Sequence, residues 1–423
     1  MTKKRVELLS PAGNFEKLKI ALTYGADAVY GGFSSLSLRN RSVKEFDENS
    51  FKDAVNYTHK LGKKIYFTLN GFPYNSQIKL VKKSIEKAVD MKVDAFIVST
   101  PGVIKLTKEI APHIPIHLST QANVMNYLDA EVYRDLGVKR IIAAREISLK
   151  DLSEIKKRLP ELELEIFVHG SMCFAYSGRC LISSLQSGRV PNRGSCANDC
   201  RFPYTLYAKN EDSGTLLKLE QNDNGTHIMN AKDLNLSSYV DEILKSGVID
   251  SLKIEGRTKS PYYTAITART YKMAIDDYYQ DLFDKQKYEK ELLSTKHRGF
   301  NEGYLVKRPY EKSDTQNLEE SISEGTHQVY AIVDESGEYF FARDKVELFQ
   351  EYEVVSPLDK DIKMCDNDIG SICKKNDRYW ISFKKMIAKN GKSYEEIHSG
   401  NTNAIQLPCK LPSFSFFRKK IKD

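Results

Sequence analysis

Residues 6–32 read VELLSPAGNFEKLKIALTYGADAVYGG, and this stretch sets the architecture of the first 260 residues. A short apolar run is followed by Asn14, a residue type that caps helices, and then by apolar residues at helical spacing from Phe15 to Leu22. Gly25 is a typical residue to end that helix, and a second short apolar run follows it. We therefore predict a strand, a helix and a second strand.

The same alternation of short apolar runs and helical stretches continues to about residue 260. Eight candidate strands begin near Val6, Asp27, Lys64, Ala95, Pro115, Arg140, Leu164 and Ser251. Strands that alternate with helices form parallel sheets, and neither a GxGxxG nor a GxxxxGKS phosphate loop follows any of these strands. The pattern thus favours an α/β fold with a (β/α)8 TIM-barrel-like domain over an open doubly wound sheet.

Spacing and composition divide the chain into further segments. The predicted barrel-like domain covers residues 1–306, and the long gap between its last two strands indicates an insertion at 171–250. A polar stretch at 307–325 predicts a linker, and short alternating segments at 326–412 predict a small all-β, barrel-like domain. The basic residues 413–423 are predicted to form a frayed tail.

Composition limits the classes of protein to consider. The 423 residues include 41% hydrophobic residues, enough for a sizeable core, and the formal net charge is +7. This charge permits an anionic partner such as nucleic acid. No uninterrupted apolar run approaches 18 residues and no apolar segment follows the first residues, so we expect a cytoplasmic protein without membrane association.

Four of the seven cysteines fall within 28 residues, inside the predicted insertion. They are Cys173, Cys180, Cys196 and Cys200, with the spacing C-x6-C-x15-C-x3-C. This spacing matches neither the paired cysteines of a zinc knuckle nor a C-x-x-C redox motif. Thiolates on irregular loops are typical of iron–sulfur clusters, which we favour, most simply 4Fe-4S. Zinc ligation, or buried or redox-active cysteines without a metal, are the alternatives.

Polar residues mark the carboxyl ends of the predicted strands, where a barrel carries its active site. They are Ser10, Tyr30, Asn70, Thr100, Ser119, Gln121, Asn123, Arg145, Glu146, His169, Glu255 and Arg257. The charged members can face a ligand or form a structural ring of ion pairs. His169 can cap a strand, bind a metal or relay protons. Arg201 and other arginines near the cysteines make that region cationic, suitable for carboxylate or phosphate.

Several sequence blocks, in order along about 300 residues, carry a family resemblance. The longest are EIFVHGSMC at 165–173 and YSGRCLIS at 176–183; the others are ELLSPAG at 7–13, STQAN at 119–123, GSCANDCR at 194–201, LKIEGR at 252–257 and HRGF at 297–300. The chain resembles the collagenase-like peptidase family U32. The resemblance implies a barrel-like catalytic region followed by a small β-domain.

Within that family, the chain is most similar to bacterial proteins that hydroxylate carbon 5 of the wobble uridine of tRNA with prephenate. The resemblance implies an oxygen-independent enzyme, tRNA and prephenate as partners, and an iron–sulfur cluster on the four cysteines. It does not show whether a protein partner takes part.

The chemistry implied by this resemblance assigns roles to the strand-end residues. Arg145 and Arg257 are candidates for the carboxylates of prephenate, and His169 and Glu255 for proton transfer. Arg201, Gln121 and Asn123 complete the predicted substrate-binding set.

Two other functions stay open. One is a collagenase-like peptidase, although no HExxH site is present and no GxSxG follows a strand. The other is a non-catalytic iron–sulfur protein that binds RNA or acts as a scaffold.

Overall fold

A computed structural model gives the structure of the chain. It describes residues 5–33, 46–173, 175–193, 196–202, 205–209, 211–214, 216–219, 231–307, 309, 312–315, 317, 324–358 and 360–421. Within these residues, no helix combines the length and the apolar character needed to cross a membrane.

Eight parallel strands form a closed barrel, which confirms the predicted fold class. They are β1 (Glu7–Pro11), β2 (Ala28–Gly31), β3 (Lys64–Leu69), β4 (Ala95–Val98), β5 (Ile116–Leu118), β6 (Arg140–Ile142), β7 (Glu163–Ser171) and, later in the chain, β11 (Ser251–Ile254). Each strand pairs with the next, and β11 pairs with both β7 and β1, which closes the barrel. All eight lie where the apolar runs predicted them.

Helices connect the barrel strands. They are α1 (Phe15–Thr23), α2 (Glu48–Lys60), α3 (Ile78–Asp90), α4 (Pro101–Ile110), α5 (Tyr127–Asp135), α6 (Leu149–Arg158), α8 (Val240–Ser246) and α9 (Pro261–Tyr279). The predicted cap is confirmed, because the Asn14 side chain accepts the N–H of Lys17 at the start of α1. Ser260 caps α9 in the same way, with Pro261 at its first position.

A buried ion-pair network occupies the barrel interior near the amino ends of its strands. The Arg140 guanidinium contacts Glu165 at 3.0 Å, Glu7 at 2.6 Å and Glu163 at 2.7 Å, and Lys253 Nζ lies 2.9 Å from the other Glu165 oxygen. Burial opposes ionisation of Glu165, but the charges of Lys253 and Arg140 outweigh it and lower the pKa of that carboxyl. Glu165 is therefore a fully buried carboxylate that contacts two cations.

The cysteine-bearing insertion follows β7. Its described elements are α7 (Ile182–Ser187), β8 (Leu206–Lys209), β9 (Leu216–Leu219) and β10 (Asp233–Asn235). β10 pairs antiparallel with the end of β7 and parallel with β12 (Phe300–Asn301). Helix α8 packs on α9 and so belongs to the layer of helices around the barrel. This layer therefore begins again before residue 250, the predicted end of the insertion. A further helix, α10 (Lys285–Leu292), also packs on α9.

An antiparallel sheet forms the rest of the protein. Its strands in chain order are β13 (His327–Val333), β14 (Tyr339–Ala342), β16 (Tyr352–Val355), β17 (Cys365–Asp366), β18 (Gly370–Lys375), β19 (Arg378–Phe383), β23 (Ile405–Gln406) and β24 (Phe416–Lys420). Two-stranded ribbons join β15 (Val346–Glu347) to β22 (Glu396–Ile397) and β20 (Met386–Ile387) to β21 (Ser393–Tyr394). Most of the predicted linker, 307–325, lies outside the described residues; α11 (Lys312–Thr315) is its described helix.

The predicted frayed tail is wrong for residues 416–420, because they form β24 in the middle of this sheet. It pairs with β13 on one side and β16 on the other. Phe416, Phe417 and Arg418 are buried. The arginine is accommodated there because its guanidinium bonds Glu353 at 2.9 Å and Glu291, on α10, also at 2.9 Å. The basic residues of this segment therefore belong to a core strand. Through the Arg418–Glu291 pair, this strand also connects the sheet to the helices of the barrel region.

Candidate active site at the barrel mouth

A polar cavity opens at the carboxyl ends of the barrel strands. It is lined by Tyr30, Thr68, Asn70, Ile97, Ser119, Thr120, Gln121, Ile142, Arg145, Phe167, Ser171, Cys173, Lys253, Glu255 and Arg257. The lining brings together five of the residues to which the sequence analysis gave a role, namely Gln121, Arg145, Cys173, Glu255 and Arg257, and three further strand-end residues named there, Tyr30, Asn70 and Ser119. A site at the carboxyl face agrees with the general position of active sites in such barrels.

The carboxyl end of β7 holds Glu255 in this cavity. A Glu255 carboxylate oxygen accepts the N–H of Ser171 at 3.3 Å, and the Glu255 N–H donates to the His169 carbonyl at 2.9 Å. Gly170 makes this approach possible: its φ is +112°, and a Cβ there would lie 2.7 Å from the Glu255 carbonyl oxygen. The backbone therefore fixes the place of the carboxylate.

Three cations and one carboxylate line the cavity among the described residues. Arg257 is 6% exposed, and its guanidinium donates to Thr68 Oγ1 at 3.1 Å. The Arg145 guanidinium lies 4.0 Å from the centre of the Phe167 ring. Guanidinium groups at the mouth of a largely buried cavity suit a carboxylate or phosphate ligand.

The third cation, Lys253, was missed in the sequence-based prediction. Its Nζ lies 4.5 Å from the Tyr30 ring centre and pairs with Glu165. Burial lowers the pKa of this ammonium group, although Glu165 opposes the shift. The signal was present in the sequence, because Lys253 and Glu255 are two residues apart and alternate residues of a strand share a face.

His169 lies outside the cavity lining. It is 1% exposed, and its ring is packed among Tyr263, Tyr271 and Phe300 at centroid distances of 5.5–5.7 Å. Burial, together with the charge of Lys259, lowers the pKa of this imidazole to about 3. The ring is therefore neutral at physiological pH, and Glu255 is the predicted proton-transfer group that faces the cavity.

The remaining predicted substrate residues occupy different places. Gln121 lines the cavity, in a short turn at 120–122. Asn123 ends that turn with φ +57°, and its buried Oδ1 has no hydrogen-bond partner among the described residues. Arg201 belongs to the turn Asp199–Arg201, and its side chain lies outside the described residues.

The cysteine-bearing segment is anchored to the barrel mouth. The Ser177 N–H and hydroxyl donate to the two Glu146 carboxylate oxygens at 3.1 and 3.3 Å. Gly178 packs so closely that a Cβ would lie 2.2 Å from the Gln121 carbonyl oxygen. Glu146 therefore holds the insertion against the barrel. Its role is structural, whereas the other role open to the strand-end charges was to face a ligand.

Two of the four clustered cysteines, Cys173 and Cys180, lie on either side of Ser177 in the chain. Cys173 is exposed at the cavity, and Cys180, Cys196 and Cys200 are half-buried. Burial raises the pKa of the Cys180 thiol, and Cys173 and Cys196 are near enough to raise it further. No group of three or more His, Cys, Asp or Glu side chains in the described part of the chain has a ready metal-binding arrangement. The donor set still fits the chemistry, because four thiols are the usual ligands of an iron–sulfur cluster.

Fold and site together define a class of protein: a TIM-type barrel with a cationic cavity at its carboxyl face and a cysteine-bearing insertion beside it. The model of Peptidase family U32 matches residues 13–315. The chain belongs to this family.

Named relatives cover most of the chain. It is 56% identical to "tRNA hydroxylation protein P" of Helicobacter pylori over 99% of both chains. It is 38% identical to the Escherichia coli protein of the same name, over 77% of this chain and 79% of the relative. A "Collagenase" of Porphyromonas gingivalis is 31% identical over 71% of this chain and 73% of its own.

Proposed function

We propose that this protein is an iron–sulfur-dependent tRNA-modifying enzyme that hydroxylates carbon 5 of wobble uridine, with prephenate as the oxygen source. The observation that carries the proposal is the 56% identity, along 99% of the chain, to a protein named for tRNA hydroxylation. The cationic barrel mouth supports it, since both proposed substrates are anionic. The reaction would take place in the cytoplasm.

In this proposal each of the cavity residues has a separate role in substrate binding or proton transfer. Arg145 and Arg257 bind the carboxylates of prephenate. Glu255 takes up the proton that leaves carbon 5 of uridine, because it is the one carboxylate among the described lining residues. Gln121 offers an amide to the polar edge of the base. Lys253, already paired with Glu165, adds positive charge at the cavity floor.

Cys173, Cys180, Cys196 and Cys200 would hold a 4Fe-4S cluster beside this cavity. Such a group supplies redox or Lewis-acid chemistry. The anchoring of Ser177 by Glu146 keeps the segment that carries the first two cysteines at the barrel mouth.

The cluster is tested by replacing each of the four cysteines with serine. After anaerobic purification, each single variant should lose most of its iron, its acid-labile sulfide and its broad visible absorbance, because serine does not replace a thiolate ligand. Cys373→Ser, in β18 of the antiparallel sheet, is the matched control and should keep its iron. Zinc without iron in the wild-type protein, or full iron in all four variants, would contradict the proposal.

The function is tested in a strain that lacks the gene. Mass spectrometry of tRNA nucleosides should show 5-hydroxyuridine and its derivatives strongly reduced, most clearly in anaerobic culture, where oxygen-dependent enzymes cannot compensate. The wild-type gene should restore them and the Cys173→Ser gene should not. Unchanged modification without the gene under anaerobic conditions would refute the hydroxylase.

The collagenase name of one relative makes peptidase activity the second candidate. Cleavage of casein or collagen by the purified protein, together with unchanged tRNA modification in the deletion strain, would favour it. A scaffold role would instead leave part of the modification in place when a single cysteine is replaced.

A further inference from the structure

Two adjoining cavities lie where the barrel meets the antiparallel sheet. One, of about 470 Å³, lies between the start of α9 and β13. The other, of about 620 Å³, lies between α10 and strands β18 and β19. His327 lines both of them. We call the two cavities together the barrel–sheet groove, and its characteristic residues are Lys259, Lys296, His327, Arg343 and Trp380.

The first cavity is cationic. Lys259, Lys296 and Arg343 line it, and none of the described residues in its lining is an aspartate or a glutamate. The neighbouring carboxylates lie outside the lining: Asp233 is 3.8 Å from Lys259 Nζ, and Glu16 is 3.1 Å from the Arg343 guanidinium. Lys296 and Arg343 are both exposed. A concave surface with this charge attracts phosphate groups.

The second cavity contains Trp380, the single tryptophan of the chain. Its side chain is half-buried on β19. Two of the cations that line the same cavity are paired with carboxylates, Lys375 with Glu351 at 2.6 Å and Arg378 with Glu353 at 2.9 Å. The indole is therefore the distinctive feature of this cavity, and an indole face is a good stacking surface for a nucleic-acid base.

Tyr263 connects the groove to the loop that follows β11 at the barrel mouth. The Tyr263 ring lines the first cavity, and its hydroxyl donates to the Glu255 carbonyl at 2.8 Å. Lys259 Nζ lies 5.2 Å from the centre of the same ring. Lys259 follows Arg257 by two residues, so one short loop contributes to both the candidate active site and the groove.

We propose that the barrel–sheet groove is a second RNA-binding surface, which holds backbone phosphates at Lys259, Lys296 and Arg343 and stacks a base on Trp380. The inference rests on the proposed function for the identity of the RNA, a tRNA. Combined cationic and aromatic contacts favour RNA over an acidic protein, which would use the charges but gain little from an indole face. The groove thereby gives the antiparallel sheet a role in substrate binding.

Intrinsic fluorescence provides the first test, because Trp380 is the only tryptophan. Titration of the purified protein with an unmodified tRNA transcript should quench its fluorescence. Trp380→Ala should bind the same transcript roughly 5- to 100-fold more weakly in fluorescence anisotropy with labelled tRNA. Trp380→Phe keeps an aromatic ring and should recover most of the affinity, which separates stacking from a folding defect.

Salt dependence provides the second test. The double variant Lys296→Gln/Arg343→Gln should bind more weakly, and the slope of log affinity against log salt should fall by about 0.7–0.9 for each phosphate that the protein no longer neutralises. Lys82→Gln/Lys83→Gln, on the exposed side of α3, changes the net charge equally and should bind as the wild type does.

The groove variants and the control variants could show equal affinities and equal salt slopes in a protein that hydroxylates tRNA. This result would refute RNA binding by the groove and leave the proposed hydroxylation intact. Equal quenching by polyglutamate at the same charge concentration would also refute RNA binding by the groove, in favour of an acidic protein. Groove-dependent tRNA binding by a protein that leaves uridine unmodified would support the groove and refute the proposed hydroxylation.

Discussion

Glu165→Gln is expected to lower the free energy of unfolding by about 3–5 kcal/mol, the cost of removing one partner from a buried ion pair. Glu165 is fully buried and contacts both Arg140 and Lys253, at 3.0 and 2.9 Å. A neutral amide would remove the carboxylate that Lys253 contacts and would leave Arg140 with the more exposed Glu7 and Glu163. Urea unfolding followed by circular dichroism measures the destabilisation.

Glu163→Gln is the matched control for this prediction. Glu163 contacts the same Arg140 guanidinium at 2.7 Å but is 31% exposed, so solvent screens the pair. Its replacement should cost no more than about 1 kcal/mol, as for exposed pairs. Equal destabilisation of the two variants would show that burial of Glu165 does not control the energy of the network.

Arg257→Ala is expected to weaken prephenate binding by roughly 2–5 kcal/mol, which corresponds to about 30- to several thousand-fold in the dissociation constant. Arg257 is 6% exposed and its guanidinium is oriented by Thr68, so a bound carboxylate would be largely desolvated there. Isothermal titration calorimetry with the folded variant measures the change. Arg145→Ala should have the same direction of effect.

Arg158→Ala is the control for binding. This arginine lies on α6, is 51% exposed and pairs with Glu154 on the same helix. Its removal changes the net charge as Arg257→Ala does, without touching the barrel mouth, and prephenate affinity should stay at the wild-type value. Unchanged affinity in both Arg145→Ala and Arg257→Ala would remove the two arginines from the ligand site.

The barrel was predictable because its information is local. Each strand is a short apolar run and each connection has helical spacing, so eight strands could be placed from the sequence alone. β24 was not predictable in this way. Its basic residues indicate a solvated segment until their partners are known, and Glu291 and Glu353 lie 127 and 65 residues away in the chain.

The site residues were predictable where successive side chains of a strand alternate regularly between its two faces. Alternation puts Phe167, His169 and Ser171 on one face of β7, and the first and last of these line the cavity. His169 does not, because the register between β7 and β11 shifts at this point and Gly170 has a positive φ. Such a local irregularity depends on the neighbouring strand, so the sequence of β7 alone does not reveal it.

The central position of β24 constrains how the protein is made. Translation proceeds from the amino end, yet the strands β13 and β16 share no backbone pairing, because β24 lies between them in the sheet. The eight-stranded sheet therefore cannot be completed until residues 416–420 have left the ribosome, long after the strands on either side of them. During this interval the nascent chain exposes the unpaired edges of β13 and β16, and unpaired strand edges are prone to aggregation.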